Sequence, residues 1–582
     1  MVKRVFKILN REISGLHEAA YLLGFFAILS QLLALIRDRF FASYFGAGST
    51  LDIYYASFRI PDIILVTAAS MVSVSILIPF LVEKMDKAPE QCSGQGGGVA
   101  KRFISEIFTV FFLFILALSA LAFILSPYLL KILFPGFPPE LHGDLVFTTR
   151  VMLLQPILLG ISNLFGCIVQ ANRKFFVYAL SPVLYNLGII LGIVFFYPFY
   201  GIGGLAGGVV LGAFLHLSIQ IPAVIATGLF PVFTSQINFR EIWKVAMISL
   251  PRTLALGAGN LATLFLVSLG SLVGAGSIAI FTLSWNLQSV PLAIVGASYS
   301  LAAFPTLVRA FGIPDKSEFR GHVISALTHI IFWSFPVLSL FIVLRAQIVR
   351  TILGYGKFSW TDTRLVSASL AIFSLSVVAQ GVALLFIRAY YAGGKTKTPL
   401  IINLLSSALI IIFGYAFIKI FETNIGIRYF LESLFKVSNL PGTAVLMLPL
   451  AYSFATILNA LILWIYFEKD FGGIFRSIGK SLFQVFSASV IMGFVAYLFL
   501  GVFDDIFNIN TVIGIFMQGF LSGILGIIGG ASLLVLLKNT EIKEIWRTLH
   551  KKIWKVPAKS PSGSTPAIPA VVSPDTSEIP GN

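Results

Sequence analysis

Four arginines and three aspartates interrupt stretches that are otherwise apolar, and these residues are the best placed to do chemistry. Arg37, Asp38 and Arg39 close one apolar run; Asp52, Arg59 and Asp62 fall in the next, with Pro61 between the last two; Pro251-Arg252 opens a much later one. An ionised side chain at membrane depth is costly unless it lines a wet cavity or is paired. Arg37, Arg59 and Arg252 come from both halves of the chain, and guanidinium groups grip phosphate oxygens with a two-pronged fork while staying charged in a poorly hydrated site. Together they fit an anionic ligand in a central cavity. Arg39 fits a different role, its head reaching to the outer membrane surface. Spacings of seven and three residues place Asp52, Arg59 and Asp62 on one helical face. Asn286 and Gln288 add amides able to hydrogen-bond a polar head group. A plainer reading stays open, in which Arg59 and Asp62 neutralise each other and the amides only pack helices.

Other chemistries lack their residues. Gly46-Ala-Gly48-Ser-Thr-Leu51 carries only two glycines of a dinucleotide fingerprint and lies between apolar runs rather than after a strand. Gly393-Gly394-Lys395-Thr396 resembles the end of a phosphate-binding loop, but the position of the required earlier glycine is Ala389. Cys92 and Cys167 have no disulfide or zinc spacing, and His216, alone in an apolar run, fits a hydrogen-bonded packing residue. No metal, cofactor or catalytic constellation is expected, and a membrane-embedded enzyme would need a positioned acid or base that Asp362, Asp504 and Asp505 do not form.

The elements that must position the charged residues follow from composition. Hydrophobic residues make up 57% of the 582, charged residues 11%, and mean hydropathy is +0.93. No aqueous surface can be assembled from such a chain, so its solvent is lipid. A bilayer core needs about 20 apolar residues per helix. Such runs fall near 15–36, 53–82, 103–130, 146–170, 175–198, 201–227, 243–271, 276–308, 323–344, 365–392, 399–421, 441–467, 479–503 and 511–537, which predicts an all-α membrane protein of about fourteen spans. Several runs exceed one upright crossing and predict tilt or kinks. The net charge of +16 lies mainly in short loops, where it orients the chain rather than binding nucleic acid. With Lys3, Arg4, Lys7 and Arg11 inside, both termini and the loop 393–398 face the cytoplasm. The loop 345–364, with Arg345, Arg350, Lys357 and Arg364, faces outward against the usual charge bias.

The chain divides into a first lobe over 1–230 (spans 1–6), a second over 231–470 (spans 7–12), two extra spans over 471–540, an amphipathic surface helix over 541–557 and a Pro/Ser-rich disordered tail over 558–582. A weak echo links the lobes: Pro182-Val-Leu-Tyr-Asn186 and Pro399-Leu-Ile-Ile-Asn403 each open an apolar helix after a basic loop, and Pro79 and Pro305 recur at a similar offset. Gly204, Gly208 and Gly212, and again Gly519 and Gly523, predict close helix packing; Gly94 to Gly98 reads as a flexible loop.

In order and spacing, several short stretches resemble the MurJ (MviN) lipid II flippases of the multidrug/oligosaccharidyl-lipid/polysaccharide (MOP) exporter superfamily. They are Arg37-Asp38 with Phe45-Gly-Ala-Gly48 and Asp52; Phe58-Arg-Ile-Pro61; Pro135-Gly-Phe137; Asn172-Arg173 with Pro182 and Asn186; Phe304-Pro305; Tyr355-Gly-Lys-Phe358; and Lys395-Thr-Lys-Thr-Pro399. The resemblance runs from about residue 20 to residue 540. It implies an alternating-access machine whose lobes enclose a cationic cavity for the undecaprenyl-pyrophosphate-linked precursor, with spans 13 and 14 forming a groove for the lipid tail. Arg37 matches a cavity arginine and Asp52 an acid of span 2. Three further arginines usual in the family are Gln31, Leu65 and Asn286 here, and Arg59 and Arg252 are candidates to replace them. Some relatives hold sodium with carboxylates in spans 7, 11 and 12; the matching runs here contain none.

The expectation is therefore a monomeric lipid II flippase of the bacterial cytoplasmic membrane, with Arg37, Asp38, Asp52, Arg59, Arg252, Asn286 and Gln288 at its substrate site. The alternatives are a flippase for another polyprenyl-linked oligosaccharide, a MATE-like multidrug exporter, for which carboxylates would be wanted, and a non-transporting scaffold.

Overall fold

The structure is a computed structural model that describes residues 16–69, 74–86, 96–544 and 547. The N-terminal basic residues, Cys92, the tail 558–582 and most of the amphipathic segment lie outside the described residues.

Every regular element among the described residues is helical. In chain order the main helices are α1 (Leu16–Phe45), α2 (Ser49–Ser57), α3 (Arg59–Ala69), α4 (Val74–Asp86), α5 (Gly96–Leu133), α6 (Pro139–Met152), α7 (Leu154–Ala171), α8 (Phe175–Leu191), α9 (Ile202–Ser218), α10 (Phe239–Val273), α11 (Ser277–Pro291), α12 (Ser298–Phe311), α13 (Lys316–Val343), α14 (Arg345–Leu353), α15 (Trp360–Ala392), α16 (Lys397–Thr423), α17 (Ile425–Leu434), α18 (Met447–Phe471), α19 (Ile474–Asp504) and α20 (Val512–Leu536). Twelve helical stretches among the described residues are long and apolar enough to cross a bilayer. The expected second span is divided among α2, α3 and α4. The expected seventh is α10, whose apolar part is Gly257–Val273. Gly96 to Gly98, expected as loop, instead form the first turn of α5.

The kinks have local causes. Phe58 and Leu153 interrupt spans 2 and 4, and each lies three residues ahead of a proline, Pro61 and Pro156. A proline offers no N–H, so the carbonyls of Ser57 and Met152 lose their helical partner. Spans 5 and 8 continue through wide π turns at Gly192–Phe196 and Leu292–Ala297, the second directly after Pro291.

Packing repeats between the halves. In the first, α1 lies on α8, α8 on α9 and α9 on α7; in the second, α10 lies on α16, α16 on α18 and α18 on α15. The echoed asparagines do parallel work: Asn186 joins α8 to α1 by donating to Ser30 Oγ (3.3 Å), and Asn403 joins α16 to α18 by accepting from Asn459 (3.4 Å). The glycines of α9 act as expected. Gly188 and Gly212, and Gly192 and Gly208, face each other so closely that any Cβ would overlap the opposite backbone. Helices α19 and α20 pack on each other and reach the rest through α13 and α14.

Candidate functional site

Hydrogen bonds between the two helical groups gather at one end of the molecule. The Asp52 carboxylate accepts from the backbone N–H of Gly276 (2.5 Å) and of Ala279 (2.8 Å), so it closes the N-terminus of α11 from across the seam. Those N–H groups have no partner within their own helix, and the helix dipole favours an anion there. Lys357 N–H donates to the Ser43 carbonyl (2.8 Å), Gly136 N–H to Ser271 Oγ (3.4 Å), and Ser268 Oγ to the Leu133 carbonyl. Arg39 donates to the carbonyls of Thr351 (2.6 Å) and Ile352 (3.2 Å). Arg39 therefore ties the two groups together rather than reaching for a membrane surface.

Glycines set the clearance of this seam, Gly356 among them, which has φ +64° and where a Cβ would overlap the carbonyl of Ser43. A Cβ on Gly136 would overlap the backbone of Ser271, and one on Gly276, which also has φ +85°, would overlap the carbonyl of Ala47. The backbones meet without side chains between them. Near the other end Lys84 pairs with Glu241 at 3.0 Å.

Between these ends lies a cavity of about 320 Å³, lined among others by Arg37, Tyr55, Arg59, Asp62, Thr282 and Asn286. Arg37 is fixed from behind. Its Nε (3.0 Å) and one terminal nitrogen (2.8 Å) hold the same oxygen of Asp38, and the other terminal nitrogen holds the amide oxygen of Asn186 (3.0 Å). The second oxygen of Asp38 accepts from Asn286 of α11 (2.9 Å), so one buried carboxylate links Arg37 to the opposite group. A guanidinium has five N–H groups; three are used, and two remain for the cavity. Arg59 is held less: its Nε is buried without a hydrogen-bond partner, as are Tyr55 Oη and Thr282 Oγ1, and all three residues line the cavity. Buried donors with no partner are costly in a folded chain unless a ligand or water completes them.

The expected set thus divides. Arg37, Arg59 and Asn286 share the cavity, with Asp38 directly behind. Asp52 does not reach it: seven helical residues separate Asp52 from Arg59 by about 10 Å along the axis, which puts Asp52 in the seam while Arg59 lines the cavity. Gln288 belongs to a separate uncharged network, accepting from Gln380 (3.4 Å), which also bonds Ser376 (2.8 Å) and Tyr452 (3.4 Å). Arg252 lies on α10 with its side chain outside the described residues. The described charges near the cavity balance, Arg37 with Asp38 and Arg59 with Asp62, where the resemblance implied a cationic lining. No group of three or more His, Cys, Asp and Glu able to hold a metal occurs among the described residues. His216 is a packing residue as expected, bonded through Nδ1 to Ser162 (2.7 Å).

A family model described as "Lipid II flippase MurJ" matches residues 41–517. A probable lipid II flippase MurJ of Thermotoga maritima is 24% identical over 535 residues, covering 91% of this chain and 98% of that one. One from Buchnera aphidicola subsp. Acyrthosiphon pisum is 26% identical, over 64% and 72% of the two chains. Among solved structures, a lipid II flippase MurJ in an inward closed conformation superposes with a TM-score of 0.69 at 22% identity, over 89% of this chain and all of that one. An inward-facing multidrug resistance MATE transporter of the MOP superfamily superposes with a TM-score of 0.59 at 15% identity, over 77% and 96%.

Proposed function

This chain belongs to the lipid II flippase MurJ family, and from that membership we propose how it moves lipid II, the lipid-linked peptidoglycan precursor, across the bacterial inner membrane. It is a multi-pass membrane transporter of the MOP fold. The site is the cavity under the seam, and the observation that carries this reading is that Arg37 and Arg59 line it together with Tyr55 and Thr282, and that Arg59 Nε and both hydroxyls are buried without hydrogen-bond partners. Pyrophosphate oxygens would complete them, with the Arg37 fork held ready by Asp38 and Asn186. Arg252, on a helix that runs between the lobes, is proposed as a further cation for the same head group.

The lobes 1–230 and 231–470 move as bodies about this cavity, and residues 471–540 hold the lipid tail. With both termini cytoplasmic, the seam is the outer gate, closed here, and Lys84–Glu241 lies on the inner side. Movement needs no covalent chemistry. An anionic head group leaving a negative interior gains about 2.3 kcal/mol per charge for each 100 mV, which supplies drive without a bound ion. The protein acts as a monomer.

Complementation tests the reading. The intact chain should restore growth to a bacterium depleted of its own lipid II flippase, and Arg59→Ala with normal membrane abundance should not. Growth restored equally by both would remove the cavity from the mechanism; restoration by neither, with the intact chain correctly inserted, would favour another polyprenyl-linked oligosaccharide as cargo.

A further inference from the structure

A second cavity, of about 760 Å³, lies at the seam end on the flank of the first lobe and shares no lining residue with the central one. Its wall combines Lys131, His142 and Arg150 with Pro127, Phe137 and Phe147, and no carboxylate is among its lining residues. Lys131 and His142 have no hydrogen-bond or ion-pair partner among the described residues. Arg150 stands within a membrane-spanning stretch, where an unpaired cation calls for a function. Its Nε donates to the Phe123 carbonyl (3.2 Å) and to Ser126 Oγ (3.1 Å), and its guanidinium lies 4.6 Å from the centre of the Phe123 ring. These contacts fix the guanidinium plane and leave its terminal N–H groups free.

The apolar neighbours show where a ligand would come from. On α5 beside Arg150, Phe123, Ile124, Tyr128 and Ile132 are 48%, 67%, 72% and 75% exposed, a face for lipid chains. A membrane span that presents a fixed guanidinium and a free ammonium next to a lipid-facing aromatic strip matches a phosphate carried on an acyl chain.

We propose that Lys131, His142 and Arg150 form a binding site for the phosphate of an anionic phospholipid from the leaflet at the seam end. The lipid's acyl chains lie along Phe123, Tyr128 and Ile132, and its head group touches Phe137. Phe137 follows Gly136, the residue whose backbone meets Ser271 across the seam. The bound lipid thus props the loop that closes the gate, and the site reads membrane composition rather than cargo.

The test uses full-length protein in a neutral detergent, with native mass spectrometry counting retained phosphatidylglycerol against phosphatidylcholine. Phosphatidylglycerol should be retained preferentially, and Lys131→Gln with Arg150→Gln should weaken it about tenfold or more. Lys131→Gln alone alters an exposed, unpartnered side chain and cannot fail through misfolding; it should give a smaller loss in the same direction. Gly143 lines the cavity and a Cβ there meets nothing within 4 Å, so Gly143→Leu should exclude the lipid with every cation intact. Equal retention of the two lipids, or unchanged retention in the double variant and in Gly143→Leu, would overturn the site. Displacement by inorganic phosphate as effective as by phosphatidylglycerol itself would show a free-anion site and overturn the lipid assignment. None of these readouts depends on transport, so failure here leaves the proposed function standing.

Discussion

Arg37 and Arg59 differ in how they are held, and the difference predicts different outcomes when each is replaced. Arg37 is clamped by Asp38 and Asn186, so Arg37→Ala removes a cavity cation and also strands a buried carboxylate that Asn286 shares. It should abolish complementation, and Arg37→Lys, which keeps the charge but loses the fork, should fall between. Arg59→Ala removes a donor that nothing in the protein satisfies. It should cost substrate binding about 1.5–3 kcal/mol. Because it also leaves Asp62 without its counter-charge, the unfolding temperature should fall and recover in Arg59→Ala with Asp62→Asn, while binding should not recover; recovery of both would make Arg59 a structural residue. Asp52 and Arg39 act at the seam instead. Asp52→Asn should weaken a helix-terminal bond by about 0.5–2 kcal/mol and, like Arg39→Ala, lower the yield of cross-linking between cysteines placed at Ser43 and Lys357. Unchanged yields would show that these residues do not hold the gate. Arg37, Arg59 and Asn286 are legible in the sequence because charge and amide groups are rare and costly in apolar runs. Tyr55 and Thr282 are not, since hydroxyls are common in membrane helices and only a missing partner, a three-dimensional fact, marks them.

Twelve of the fourteen expected spans are legible from apolar length alone, and so is the doubling of Pro182–Asn186 in Pro399–Asn403. What length cannot show is where a span bends, or that the arginines near residues 345–364 are used on backbone: Arg350 donates to the Phe358 carbonyl (3.3 Å) and Arg364 to that of Lys436. Residues that cap carbonyls need not obey a rule about loop charge, which fits the outward-facing placement proposed for this loop. At this scale the α8–α9 contact is the sharpest test. Gly208→Ile forces two backbones apart and should destabilise the detergent-solubilised protein by about 1–3 kcal/mol, read as a lower unfolding temperature. Gly207→Ala meets only an ordinary contact at 3.6 Å with Phe196 and should leave that temperature unchanged. Equal behaviour of the two variants would mean that the close approach carries no packing energy.

As a whole, the molecule is two similar helical groups joined by backbone at one end and by the ion pair Lys84–Glu241 near the other. Labelling checks the proposed orientation: a cysteine at Ser359 should react with an impermeant reagent from outside the cell, and reaction from the cytoplasmic side alone would invert the model of the gate. In reconstituted vesicles, collapsing a membrane potential should slow flipping, because an anion no longer moves down the field; an unchanged rate would point to another source of drive. The backbone seam also has a genetic signature. At most functional sites, trimming a side chain to alanine does the damage, since the working atoms are on side chains. At positions 136, 276 and 356 there is nothing to trim and no room to add, so a single methyl group should be lethal where, at neighbouring surface positions, whole aromatic rings can come and go. A saturation library selected for growth would show this as three columns in the seam tolerating only the native residue, at places a search for catalytic groups would pass over.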